Sequence, residues 1–394
     1  MTANHYDLII IGGGPVGMAL ALALHDSGIS ALLLEARVAP EKTQDLRPLA
    51  LSHGSRLILQ RLGQRPCVWQ SLSQASSITP ITSIHVSHRG GFGRTLLTAR
   101  DAGTPALGYV VNHHDLYRAM HQALQSCGAE YLAGAQVTRV ETSDEQGLVE
   151  FQHDGVTRQA TAKLLVLADG GHFTGQIEGV TQHVHEYQQW AVVTHIKTAH
   201  PQCGRAYERF TPDGPVALLP AGDDFALVWT VSPSAAQEIL GLDDTTFLAR
   251  LHEHFGDRLG KFVASGKRSG FPLTLKYATP VTARRIALVG NAAQTLHPVA
   301  GQGFNLGLRD AWELAGEIIA SPAETGTPAM LTRYRRQRRM DSGAGRVFTD
   351  TLVKLFSNAD PVLQSGRGLA LSALDCLPPA KRYVARRMMF GARG

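Results

Sequence analysis

The chain has 394 residues, with 38 Lys and Arg against 33 Asp and Glu, a formal charge of +5. Apolar residues make up 44% of it and charged residues 18%, which supplies a large core and excludes a disordered chain, a collagen and a small disulfide scaffold. At roughly 150 residues per domain, the length predicts two or three structural units.

In chain order, the first notable stretch is Leu8 to Leu24, which carries no charged residue. Asp7 stands where a signal peptide has a basic segment, and Gly12, Gly13, Gly14 and Pro15 break the run. A buried strand, a turn and a helix are therefore predicted, not a membrane span. Asp7 to Ile11 reads as a buried parallel strand. Gly12, Gly14 and Gly17 match G-x-G-x-x-G, Met18 to His25 reads as a helix stopping near Gly28, and a second strand from Ala31 to Leu34 ends at Glu35. Gly12 permits the tight turn, Gly14 lets backbone approach a pyrophosphate, and Gly17 allows close helix–strand packing. The helix start offers free N–H groups to phosphates. Glu35 accepts ribose hydroxyls and repels a 2′-phosphate, so the expected nucleotide is FAD or NAD.

Further along, Lys163 to Gly171 predicts a buried strand ending at Asp169 and Gly170. Ala191 to Ile196, Val216 to Leu219 and Phe225 to Val231 read as strands between turn residues. Arg285 to Gly290 predicts another strand, ending at Asn291. Gly301 and Gly303 then open a helix with Leu308, Ala311, Ala315 and Ile318 at helical spacing. Ligands gather outside the carboxyl ends of strands in open α/β sheets, so Asp169 and Asn291 are expected at the nucleotide site. His183-Val184-His185 and His252-Glu253-His254 read as extended segments with like residues on one side. Neither has a third ligand at metal spacing, so no metal site is predicted. H-E-x-x-H and G-x-S-x-G are missing, which argues against a zincin or an α/β-hydrolase.

These motifs together resemble the class A flavoprotein aromatic hydroxylases. The resemblance is carried by G-G-G-P-V-G with Glu35, A-D-G at 168–170, and G-N-A-A-Q-T-L-H-P-V-A-G-Q-G-F-N-L-G at 290–307. R-P-L-A-L-S-H-G-S at 47–55, I-H-V-S-H-R-G-G-F-G at 84–93 and the N/Q form of the 290–298 loop resemble the ubiquinone-biosynthesis branch. The resemblance implies an α/β fold: a Rossmann-like FAD-binding domain with an interleaved β-sheet substrate domain and a helical C-terminal tail. The expected boundaries are 1–75, 100–180 and 276–330 for FAD, 76–99 and 181–275 for substrate, and 331–394 for the tail.

The implied activity is FAD-dependent hydroxylation of a polyprenylated methoxyphenol ring through a C4a-hydroperoxyflavin. O2 is the implied co-substrate, and NAD(P)H or another reductant is the transient electron donor. No second G-x-G-x-x-G appears, so no separate NADPH domain is expected. The resemblance assigns the pyrophosphate and ribityl chain to Asn291, where relatives carry Asp, and the flavin ring to the helix start at Gly301, Gly303 and Asn305. Arg47 is a candidate contact for FAD or the reductant, and His113 stands where relatives often place an Arg near FAD. His297 is a candidate general base by type and position, and Pro298 is expected to line the substrate pocket. Alternatives are another flavin-dependent oxidoreductase on a prenyl or aromatic substrate, or a non-catalytic flavin-binding member of a biosynthetic complex. The halogenase segment W-x-W-x-I-P is missing.

The charge is concentrated at the end of the chain. Residues 331–394 hold 13 Lys and Arg against 4 Asp and Glu, leaving 25 against 29 in the first 330. Nucleic-acid binding by the whole chain is therefore not indicated. Arg382, Arg386 and Arg387, beside Tyr383, Val384, Met388, Met389 and Phe390, suit an anionic membrane surface or a partner in a ubiquinone-biosynthesis complex. The alternative is a solvated Arg face whose apolar residues pack on the catalytic body. Cys67, Cys127, Cys203 and Cys376 form no C-x-x-C pair. They read as reduced thiols in a cytoplasmic protein, peripheral to the inner membrane where the tail docks.

Overall fold

The computed structural model describes residues 4–38, 47–75, 78–200, 204–296, 301–340, 343 and 361–391. The first strand, Asn4–Ile11, is buried along its second half and lies between two parallel neighbours, Val156–Leu167 and Ala31–Glu35. Glu130–Ala133 and Ile286–Leu288 extend the parallel run on either side. A parallel sheet must be covered on both faces, and alternate residues of the first strand serve the two. Leu8 and Ile10 join a core with the helices Pro15–Leu24, His113–Cys127 and Gln302–Ala320. Ile9 and Ile11 pack with Val149 and Phe151 of the antiparallel strand Gly147–His153. The strand predicted from Arg285 to Gly290 is shorter, because Arg285 has φ +56° and the chain enters a 3-10 turn at Gly290–Ala292.

A nine-stranded sheet forms the second layer. Its longest strand, Thr181–Thr198, contains the predicted Ala191 to Ile196 segment and pairs with Ser269–Thr279 and Asp224–Val231. On one face, Val192, Leu218, Leu227 and Trp229 are buried with Ala236, Ile239, Phe247 and Leu251 of the helices Pro233–Gly241 and Asp244–Phe255. The expected extended reading of His252 to His254 is corrected here. Asp243 caps the helix by accepting the Thr246 N–H at 3.0 Å, and Phe247, Leu251 and Phe255 line its buried side. In a helix, residues two apart point about 200° from each other. No group of three metal-ligating side chains exists among the described residues.

Ser83–His88 joins the nine-stranded sheet in parallel with Arg205–Phe210, and Arg94–Thr98 completes that edge. A three-stranded sheet of Pro48–Ser52, Gly108–Asn112 and Thr79–Ile81 lies against it, with Ile81 and Val110 packing on Ala206.

Residues 328–340 form a helix, followed beyond 360 by the helices Pro361–Cys376 and Pro378–Phe390. The last helix does not present its apolar side outward. Ala385 and Met389 are buried with Leu97, Ala99, Ala102 and Leu107, and Val384, Met388 and Phe390 pack against them. Tyr383 is the apolar exception at 65% exposed, beside exposed Arg382 and Arg386. Of the two readings of the tail, the apolar residues other than Tyr383 follow the second: they pack on the body of the protein. No helix among the described residues is long and apolar enough to cross a membrane.

Candidate flavin site

The glycine-rich turn after the first strand is shaped by close approach. Gly12 has φ +112°, and a Cβ there would lie 2.4 Å from the Ala168 carbonyl oxygen. A Cβ on Gly17 would lie 2.0 Å from the Gly12 carbonyl oxygen, so Gly17 sets the packing of helix on turn and does not border the cavity. A Cβ on Gly14 would meet nothing within 4 Å, because this residue faces the cavity. Pro15 opens the helix, and no side chain caps it. Its first N–H groups and the positive dipole end thus stay available to an anion.

Glu35 is 5% exposed at the end of the second strand. One carboxylate oxygen accepts the Gly13 N–H at 2.9 Å, and the other accepts the Arg37 N–H at 2.9 Å and its Nε at 2.8 Å. The Arg37 Nη2 lies 3.5 Å from the first of these oxygens, so a ribose hydroxyl there would replace that long contact. Asp169 also works on its own turn, accepting the Gly171 and Phe173 N–H groups at 3.0 and 2.7 Å. Arg47 and His113 both border the cavity, and the His113 N–H donates to the Arg47 carbonyl at 3.0 Å.

The far wall is organised from within the protein. Asn291 is exposed toward the cavity on its 3-10 turn. The preceding Gly290 N–H donates to Asp310 at 2.9 Å, and the other Asp310 oxygen is 2.5 Å from Arg338, which also reaches Glu313 at 2.9 Å. Gly301, with φ +58°, starts the helix Gln302–Ala320, and a Cβ there would lie 3.0 Å from the Ala50 Cβ. Gly303 borders the cavity and has open space above it.

Asn305, expected to contact the flavin, is committed elsewhere. Its Oδ1 accepts the Ser52 N–H and the Ser55 hydroxyl, each at 2.7 Å, and its Nδ2 donates to the Ala50 and Gly301 carbonyls at 2.8 and 2.7 Å. It therefore positions the helix start against the strand Pro48–Ser52 and touches no cavity. His297 and Pro298 lie outside the described residues.

Asp310 and Arg338 escaped the sequence reading. The available signal was an acidic residue beside Ala311 on the apolar stripe of a predicted helix, where an unpaired charge is untenable.

A cavity of about 790 Å³ runs from Gly12, Gly14 and Glu35, past Asp169 and Asn291, to Gly303 and on to Val193, Val228 and Phe271 of the nine-stranded sheet. One end offers uncapped helix N–H groups and a carboxylate; the other is an apolar floor beside a second uncapped helix start. These donors and acceptors fit an adenine dinucleotide whose second half is a flat ring.

That arrangement is the site of an FAD-binding flavoprotein. Residues 5–344 match the family described as FAD binding domain, and the chain belongs to it. Its relatives narrow the class to the hydroxylases of ubiquinone biosynthesis. The chain is 34% identical over 393 residues to ubiquinone hydroxylase UbiL of Rhodospirillum rubrum, covering 97% of this chain and 89% of that one. It is 31% identical over 396 residues to 3-demethoxyubiquinol 3-hydroxylase of Escherichia coli, covering 98% and 99%. Among solved structures, p-nitrophenol 4-monooxygenase PnpA from Pseudomonas putida superposes with a TM-score of 0.78 at 17% identity, covering all of both chains, a likeness of fold.

Proposed function

We propose that the enzyme hydroxylates the ring of a polyprenylated methoxyphenol in ubiquinone biosynthesis, with O2 as co-substrate and NAD(P)H or another reductant as electron donor. The observation that carries this reading is the continuity of one cavity from the nucleotide cradle to an apolar floor. Gly12, Gly14 and Glu35 would hold the ADP half of FAD, and Asn291 and Gly303 the half bearing the ring. Bound there, reduced FAD would supply the two electrons that activate O2, one oxygen atom of which goes to the ring and the other to water.

The chain's own groups do the rest. The uncapped start of Gln302–Ala320 offers N–H groups and a positive dipole end to negative charge on the flavin ring. Val193, Val228 and Phe271 exclude water from the reacting face. Arg382, Tyr383 and Arg386 form the exposed face through which the last helix would meet a membrane or a biosynthetic complex.

The test is to purify the protein, confirm bound FAD by its visible spectrum, and follow incorporation of ¹⁸O from O2 into a short-chain alkyl methoxyphenol. Deleting the gene and extracting lipids gives the cellular counterpart, with the methoxyphenol expected to accumulate. A colourless protein that takes up no FAD, or unchanged quinone in the deletion strain, overturns the proposal.

A further inference from the structure

The nine-stranded sheet carries one carboxylate that the site described above does not use. Glu208 sits on the strand Arg205–Phe210, opposite Ala217 on one side and Val86 on the other. Ala217 is in turn opposite Val228, and Val228 is opposite Val193. Directly opposed residues share a sheet face, so Glu208, Ala217, Val228 and Val193 form one cross-strand row. Val228 and Val193 border the flavin cavity. All four keep accessible surface, whereas Tyr207, Val216, Leu218, Leu227, Trp229 and Val192 on the opposite face are buried beneath helices. At about 4.8 Å per strand, Glu208 lies some two strand spacings, about 10 Å, from Val228. Ala217 stands between them in the row, one strand beyond the residues that border the cavity.

Among the described residues the Glu208 carboxylate has no hydrogen-bond or ion-pair partner. Its residue keeps part of its surface accessible, on the same sheet face as Val193 and Val228. Burial alone pushes the carboxyl up to about 7. Its row neighbours Val86 and Ala217 carry no charge, Tyr207 and Arg209 point to the opposite face, and the other titratable group on this face of the adjoining strand is buried His88. An unpaired acceptor in such surroundings is costly, and a bound hydroxyl donor relieves it.

We propose that Glu208 is the polar anchor of a phenol subsite, its carboxyl oxygen accepting a hydrogen bond from the ring hydroxyl of a substrate that lies across Ala217 and Val228. This rests on the hydroxylase reading and adds the specificity residue to it. A site that pairs a hydroxyl discriminates strongly against an analogue lacking it. The subsite therefore selects a free phenol over its methyl ether.

The experiment is equilibrium dialysis of the FAD-loaded enzyme with an alkyl methoxyphenol and with its methyl ether. The wild type should prefer the phenol by roughly ten- to a hundredfold, the range for a hydrogen bond to a charged group. Glu208→Leu should bind both alike while keeping its flavin spectrum, and Glu208→Gln, a neutral acceptor, should retain a reduced preference of about two- to tenfold. Ala217→Leu fills the floor beside the carboxyl and should weaken phenol binding at least tenfold with FAD content unchanged. An undiminished preference in Glu208→Leu, or undiminished phenol binding in Ala217→Leu, overturns the proposal. A wild-type enzyme that binds the phenol and the ether equally overturns the anchor while leaving the hydroxylase reading standing. A flavin-loaded enzyme that binds neither overturns both.

Discussion

Replacing Asp310 by Asn probes the buried ion pair behind the flavin wall. Asp310 and Arg338 are each 1% exposed, and the carboxylate both pairs with the guanidinium at 2.5 Å and accepts the Gly290 N–H at 2.9 Å. The amide keeps the shape and one acceptor but removes the charge. Breaking one side of a buried pair typically costs about 3–5 kcal/mol. Glu313 stays 2.9 Å from Arg338 and offsets part of that loss. The expected destabilisation is therefore about 3 kcal/mol, with weakened FAD binding because Gly290 precedes Asn291. Urea unfolding followed by tryptophan fluorescence measures the first, and flavin fluorescence titration of the apoprotein the second. The double variant Asp310→Asn with Arg338→Met should recover part of the loss, because no unpaired guanidinium is left. A change below about 0.5 kcal/mol, the level of an ordinary surface substitution, with unaltered FAD affinity would refute this account of the wall.

Gly17→Ala should abolish FAD uptake, read from the visible spectrum of the purified protein, because the new Cβ would lie 2.0 Å from the Gly12 carbonyl oxygen and displace the turn. Asn305→Ala should lower stability by about 3 kcal/mol or more in urea unfolding and weaken FAD binding, since it strands the Ser52 N–H and the Ala50 and Gly301 carbonyls. Glu208→Gln should be more stable than the wild type in a pH-dependent way. The wild-type carboxyl, raised from 4.5 to about 7 in the folded state, holds a proton that the unfolded chain has released. The folded state therefore loses about 3 kcal/mol between pH 4.5 and 7, and the loss is complete above that window. The Tm advantage of the variant should grow across that window and level off above it; a constant difference would contradict the burial argument.

The glycine-turn end of the cavity was readable because its determinants are local. Gly12, Gly14, Gly17 and Glu35 follow one another within a single strand–turn–helix–strand unit, and each spacing has one geometric meaning. The other end depends on pairings that no spacing encodes. Asn305 meets Ser52 and Ser55 some 250 positions away, so its helix position marks it equally well as a ligand or a brace. Glu208 aligns with Val193 only through the register of four strands, three of them paired across turns. The His252 to His254 segment misled because a two-residue alternation is also compatible with a helix, and the buried Phe247, Leu251 and Phe255 on the same helix decide between them. In the last helix, the mixture of arginines and apolar residues gave no direction until Leu97, Ala99 and Leu107 were found beneath it.

The cavity wall is drawn from residues near 12–37, 168–173, 290–296 and 303–307. A ligand seated there fastens together stretches that are remote along the polypeptide, and it does so only in the native state. Free FAD at a hundred times its dissociation constant adds about 2.7 kcal/mol to the folded state. Vitamin supply thereby becomes a determinant of how long each copy survives proteolysis: cells starved of riboflavin should contain less of the enzyme, not merely an inactive form of it.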